Sequence, residues 1–230
     1  MSSKKIKIVS VGGSIIIPKT GFDILFLKKF RSLILEQIKL GTKFILVVGG
    51  GATCRQYQTA AAKVTKLTQQ NLDWLGIKST VFNAEFIKTL FGDYAYKDVI
   101  TNPTKKIKTD KSIILCAGWK PGCSTDKDAV LLAKTYGAKE VINLSNIEYV
   151  YDKDPRKYKD AQKIESIDWK TFRKKIVGNT WEAGKNVPFD PIASREADKL
   201  GLKVCILNGM NLVEVKKALE NKKFKGTVIE

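Results

Sequence analysis

Three glycine-rich runs each follow a strand-like apolar segment: Gly12-Gly13-Ser14, Gly49-Gly50-Gly51, and the loop from Gly118 to Thr125. Glycine has no Cβ, so successive backbone N–H groups can converge on an anion. Each run feeds a helix, at once or after a short segment, and a helix N-terminus adds partial positive charge. A single such turn is ordinary chain reversal. Three at the same predicted edge point to a ligand rich in phosphate. None of them is a P-loop, because no G-x-x-x-x-G-K-[ST] occurs. Arg55 stands four residues after Gly51. That is one helical turn on, where its planar fork can reach an anion held by the glycines. Asp126 and Asp128 flank Lys127 at a helix start. Asp126 is expected as the N-cap and Asp128 as a solvated first-turn acid.

The composition narrows the chemistry. The chain has no histidine, which removes Ser-His and Cys-His nucleophile pairs. Cys54, Cys116, Cys123 and Cys205 form no C-x-x-C pair, so a Cys/His zinc site is not expected, nor any other metal site built from protein ligands. Catalysis has to come from Lys, Arg, carboxylates, backbone amides or a metal ion carried by substrate. The net charge of +18 favours anionic partners. Only five of the 41 basic residues are arginine, and the lysines are spread along helix faces, which reads as solubility rather than as a nucleic-acid stripe. No apolar run approaches the roughly 20 residues that span a bilayer. A cytoplasmic protein with free thiols and no membrane or nucleic-acid partner is expected.

These loops need a frame. Residues 6–11, 44–48, 112–117, 140–144, 203–207 and 227–229 read as strands. Helices are expected from Asp23 to Gly41, from Ala52 past Ala62, over 67–75 and 84–91, over 127–136, over 192–200 and over 212–221. The region 92–111 gives no clear pattern. Strand, glycine loop and helix alternate, so the expected fold is α/β, a mostly parallel sheet with helices on both faces. Right-handed crossovers bring the loops after the strands to one edge, where ligands bind in such folds. The chain reads as one domain over 1–230, with a lobe division near Lys139.

Four stretches resemble the amino acid kinase superfamily, and within it the archaeal-type UMP kinases. They are Val11 to Ser14, Val47 to Gly51 with Arg55 behind it, Pro121 to Asp126 followed by Ala129 to Ala133, and Asn143 to Asn146 with Val150 to Pro155. Asp73 before Gly76-Ile77, with Asn83 beyond, adds a substrate-side match. The resemblance spans Ile8 to Ile229. It implies an αβα sandwich that phosphorylates UMP to UDP by direct in-line transfer from ATP, with Mg²⁺ between the phosphates. It places Gly13, Ser14, Gly51 and Arg55 on the ATP phosphates, and Ser145, Asn146, Tyr151 and Asp154 around adenosine. It places Gly50 at the UMP phosphate, Asp73 at the ribose hydroxyls, and Trp119, Lys120, Pro121, Gly122, Cys123, Ser124 and Thr125 around the rest of UMP. A homo-oligomer, a hexamer in related enzymes, and feedback by UTP are also implied.

The sequence departs from that pattern at two places. Ser10 stands where many members carry a lysine, so the catalytic cation is open among Lys120, Lys127 and Lys185, with Arg55 also on the phosphates. Glu148-Tyr149 stands where an Asp-Gly is usual. Two other readings share the fold: another phosphotransferase of the superfamily, and a binding or storage protein that has lost transfer.

Overall fold

The computed structural model describes residues 5–178 and 187–230, so Lys185 lies outside the described residues. A seven-stranded sheet carries the chain in the order β3-β2-β1-β4-β8-β9-β7. The strands are β1 (Ile6–Val11), β2 (Lys43–Val48), β3 (Ile113–Cys116), β4 (Glu140–Ser145), β7 (Ser166–Ile167), β8 (Lys203–Asn208) and β9 (Thr227–Ile229). A separate antiparallel ribbon pairs β5 (Val150–Tyr151) with β6 (Lys163–Ile164). From β3 to β8 every pairing is parallel, and β9 runs antiparallel to β8. The five parallel strands are buried almost throughout and rich in Val, Ile and Leu, as strands covered on both faces are.

Helices cover both faces. On one lie α2 (Ile24–Lys39), α4 (Gln69–Phe91) and α8 (Leu212–Leu219), which bury Phe26, Phe30, Ile34, Ile87, Phe91 and Leu219 against Val9, Leu46 and Leu115. On the other lie α5 (Thr125–Tyr136), α6 (Trp169–Phe172) and α7 (Pro191–Lys199), which bury Val130, Ala133, Phe172 and Ala193 against Ile8, Ile45 and Val141. The α/β sandwich expected from the sequence is the fold observed. Helix α2 starts where Asp23 accepts from the Phe26 amide at 2.9 Å, and its buried residues recur at three or four positions. No helix among the described residues is long and apolar enough to cross a membrane.

Three expectations need correction, and one unread stretch takes shape. The helices read over 67–75 and 84–91 are one helix, α4, because the intervening residues also bury a face: Ile77, Ser79, Thr80 and Asn83. Helix α5 is capped by Ser124, whose Oγ accepts from the Lys127 amide at 3.2 Å, and not by Asp126. Asp126 sits a residue inside the helix, with its carboxylate occupied elsewhere. Asp128 is not solvated; it is 1% exposed. The unreadable stretch supplies a 3₁₀ turn, Gly92–Tyr94, and an irregular strand along β3, held by Tyr96 N–H to the Ile113 carbonyl and Ile100 N–H to the Leu115 carbonyl.

The parallel register fixes the site. Val11 stands beside Val48 and Leu144, Val47 beside Cys116, and Ser145 beside Asn208. The residues that follow these strands therefore leave the sheet along one rim. Gly12-Gly13, Gly49-Gly50-Gly51, Gly118 and the Ser145 turn are on it. The opposite edge is tied by Glu140, which meets Lys7 at 2.6 Å and Lys203 at 2.7 Å.

Candidate active site

On the rim, the first two glycine loops touch backbone to backbone. The turn after β1 enters the short helix α1 (Gly13–Ile16), and the turn after β2 enters α3 (Gly51–Val64). A Cβ on Gly13 would stand 2.0 Å from the amide nitrogen of Gly51, so no side chain fits there. Gly51 has φ +64°, a conformation that side-chain-bearing residues resist, and a Cβ on it would meet the Gly13 carbonyl oxygen at 2.5 Å. Backbone hydrogen bonds lock the pair: Gly49 N–H to the Val11 carbonyl, Gly12 N–H to Leu144, and Ala52 N–H to Ile17, at 2.9–3.0 Å.

Asn83 orients the second loop from below. It is fully buried, and its Nδ2 donates to the carbonyls of Gly49 at 2.9 Å and Gly50 at 3.0 Å. In a trans peptide the carbonyl and the following N–H point opposite ways, and the described residues hold no cis peptide. The N–H groups of Gly50 and Gly51 therefore turn away from Asn83, and neither has a hydrogen-bond acceptor among the described residues. The geometry is that of an anion-binding concavity at a helix N-terminus. The sequence flagged Asn83 only by resemblance; its aim at two glycine carbonyls depends on the unbroken helix α4.

The third loop is anchored at four points. Gly118 N–H donates to Thr80 Oγ1 at 2.8 Å, and Gly122 N–H to Asp73 Oδ2 at 2.9 Å. Trp119 N–H and the Cys123 thiol both donate to Asp128, at 3.2 and 3.1 Å. Asp73 also accepts from Gln69 Nε2 at 2.8 Å, so it links the start of α4 to this loop. The Lys120 ammonium lies 4.1 Å from the centroid of the Trp119 ring, close enough for a cation–π contact. Neither Thr80 nor Asp128 was among the residues singled out for the site by sequence.

Behind the loop, Asp126 accepts from Asn143 Nδ2 and from the Asp190 amide, each at 3.1 Å. This ties α5, β4 and the N-terminus of α7 together. Burial pushes both Asp126 and Asp128 up to about 7, against hydrogen bonds that pull them down. Arg55 is exposed one turn into α3, and Lys127 is half-buried in the first turn of α5; neither has an ion-pair partner among the described residues.

The structure thus brings together Gly13, Ser14, Gly50, Gly51, Asp73 and residues 118–125, with Ser145 next along the rim. Tyr151 and Asp154 lie on and after the ribbon, which is joined to β9 by Val150 N–H to Thr227 Oγ1 at 2.8 Å. Asp154 is engaged by Arg156, with Nε and Nη2 each 3.0 Å from a carboxylate oxygen. That guanidinium holds the Asp154 carboxyl below the usual carboxylate range. Among the described residues, no group of three or more Cys, Asp or Glu is arranged to hold a metal ion.

Residues 5–208 match the model of the amino acid kinase family. The chain belongs to the amino acid kinase family. Its relatives include a uridylate kinase of Methanospirillum hungatei, 31% identical over 225 residues that cover 96% of this chain and 93% of the relative. A uridylate kinase of Methanocaldococcus jannaschii is 30% identical over 227 residues, covering 97% and 98%. The crystal structure of a uridylate kinase from Archaeoglobus fulgidus superposes with a TM-score of 0.80 at 25% identity, covering 98% of this chain and all of the other. In open α/β sheets ligands bind outside the carboxyl ends of the strands, and here that rim carries the glycine loops.

Proposed function

We propose that the chain is a uridylate kinase that transfers the terminal phosphoryl group of ATP directly onto UMP, giving UDP. The observation that carries this reading is the contact between the Gly12-Gly13 and Gly49-Gly51 loops, with the Gly50 and Gly51 amides turned out from Asn83. Two phosphate cradles in backbone contact suit two phosphate esters meeting end to end. Relatives that cover nearly the whole chain and are uridylate kinases supply the substrate identity.

In this reading Gly13, Ser14 and Gly51 hold the ATP phosphates, and Gly50 faces the phosphate of UMP. Asp73 has acceptor capacity left for the ribose hydroxyls, and the 119–125 loop encloses the remainder of UMP. Ser145, Asn146, Tyr151 and Asp154 bound the adenosine side. Transfer needs no enzyme nucleophile; it needs position and charge stabilisation. The amides and a nearby cation, Arg55, Lys120 or Lys127, stabilise the oxygens of the moving group. Mg²⁺ fits here as part of the ATP complex, held by phosphate oxygens, and would neutralise charge between the phosphates. A homo-oligomer belongs to the same reading, supported by Phe22, Ile24, Leu25 and Phe82 standing exposed on and beside α2 and α4. Light scattering on the purified chain should give a mass above that of one chain.

A coupled assay with Mg·ATP and UMP, CMP, AMP or GMP tests the reading. UDP formation should exceed the other products by at least about 100-fold in kcat/KM, because the site must hydrogen-bond one base edge and leave others unpaired. Equal turnover of all four, or none, would reject it.

A further inference from the structure

The turn Lys120-Pro121-Gly122 projects from the rim between two fixed points, Trp119 and Cys123, and both are held by the same carboxylate. Asp128 is 1% exposed, and no other described contact occupies it. Its Oδ2 accepts from the Trp119 amide at 3.2 Å, and its Oδ1 from the Cys123 thiol at 3.1 Å. The turn is closed by Cys123 N–H to the Lys120 carbonyl at 3.1 Å. Its tip is pinned separately, by Gly122 N–H to Asp73. One buried side chain in the first turn of α5 therefore determines where the substrate-side loop begins and ends.

We propose that Asp128 is a positioning residue that clamps both feet of the 119–123 turn and so sets the affinity of the site for the phosphoryl acceptor. The acceptor's identity as UMP rests on the uridylate kinase reading. A solvated acid at this place would do nothing of the kind. A buried one that spends both oxygens on a single loop has its desolvation partly compensated there.

The clamp has a protonation state. Both partners donate, so the ionised carboxylate satisfies both, while a neutral carboxyl has one good acceptor left. The groups facing it are the Cys123 thiol from the loop, Lys127 and Asp126 on α5, and Cys116 at the end of β3. Asp190, ahead of α7, acts on Cys123 and Asp126. Burial raises Asp128 to about 7, which places its titration in the working range. The clamp is complete above that pH and half made below it. The same pairing guards the thiol: burial and the Asp128 charge push Cys123 up to about 12 and keep it unreactive.

The test uses the full chain, with Asp128→Ala and the isosteric Asp128→Asn, read by kinetics and by iodoacetamide labelling of each cysteine by mass spectrometry. At pH 8, Asp128→Ala should raise KM for UMP about 10-fold, the loss of two hydrogen bonds. KM for ATP and kcat should stay within about twofold, and Asp128→Asn should fall between. At pH 6 the excess in KM should shrink, since the wild-type carboxyl is then largely neutral. Cys123 should label faster in Asp128→Ala, while the buried Cys116 and Cys205 stay protected and report that the fold is intact. An unchanged KM for UMP with unchanged Cys123 labelling overturns the proposal. So does an equal loss in kcat and in both KM values. If the wild type turns over no UMP but Cys123 is still unmasked in Asp128→Ala, the clamp stands and the substrate assignment falls.

Discussion

The two sides of the rim are built differently. On the side of the 118–125 loop, the contacts that shape the backbone come mostly from buried side chains: Asn83, Thr80 and Asp128, with Asp73 at the margin. On the side of Ser145 to Asp154, Asn146 is exposed and Tyr151 half-buried, and the ion pairs Asp154–Arg156 and Lys153–Asp160 each have one partner about three-quarters exposed, Arg156 at 76% and Asp160 at 75%. Exposed ion pairs contribute little to stability. The first side is held by buried hydrogen bonds; the second has its charged contacts at the surface. In the proposed reading the first side holds the phosphoryl acceptor, which has to be aligned before transfer.

Changes to the loop-on-loop contact should break this contrast most visibly. Gly13→Ala places a methyl 2.0 Å from the Gly51 nitrogen, and Gly51→Ala adds strain at φ +64°. Each should lower kcat/KM by at least about 100-fold, and the backbone strain should cost on the order of 1–3 kcal/mol in denaturant melts. Next comes Asn83→Ala, which leaves the buried Gly49 carbonyl without its donor and the Gly50 carbonyl with only the Cys54 amide. A loss of about 1–3 kcal/mol, for the one orphaned carbonyl, is the ceiling. A 10- to 100-fold fall in turnover should accompany it in steady-state assays.

Two substitutions divide the roles. Asp73→Asn should weaken UMP binding about 10-fold, read by calorimetry, because one charged acceptor is lost. Arg55→Ala should mainly lower kcat and spare KM. If both leave the kinetics unchanged, the site assignment fails.

A smaller effect follows from Asp126 and Asp128, both raised to about 7. The folded state holds these protons more tightly than the unfolded chain does. Their contribution to stability is therefore full below the ordinary carboxylate range and is lost as pH rises through about 7. Between pH 6 and 8 each should cost roughly 1 kcal/mol, lowering Tm by a few degrees, about 2–4 °C per kcal/mol at this chain length. Asp126→Asn or Asp128→Asn should flatten that slope in calorimetric scans. Smallest of all, Arg156→Ala should leave Tm unchanged, since its partner contact is at the surface.

The difference between the two sides also explains what was legible in the sequence. Glycine runs, apolar strands and the Asp23 cap are local signals, and they located the rim and the parallel sheet. The sequence pattern breaks helix α4 into two pieces because Ser79, Thr80 and Asn83 are polar yet buried, which erases the apolar period along that stretch. The sequence Ser124-Thr125-Asp126 holds three residues of N-capping type. Tertiary partners decided among them, since Asn143 and Asp190 draw Asp126 inward. The burial of Asp128 depends on Trp119 and Cys123 folding back over α5, which no spacing rule reveals. The residues proposed for the donor side are legible only through resemblance, because neither a buried face nor a cap marks them in the sequence.

The most direct test of the face-to-face cradles is the stereochemistry of transfer. With ATP made chiral at its terminal phosphorus by oxygen isotopes and UMP as acceptor, UDP should form with inversion, as a single in-line displacement requires. Retention would mean that the phosphoryl group passed through an enzyme nucleophile, and the glycine loops would then not hold the two substrates end to end.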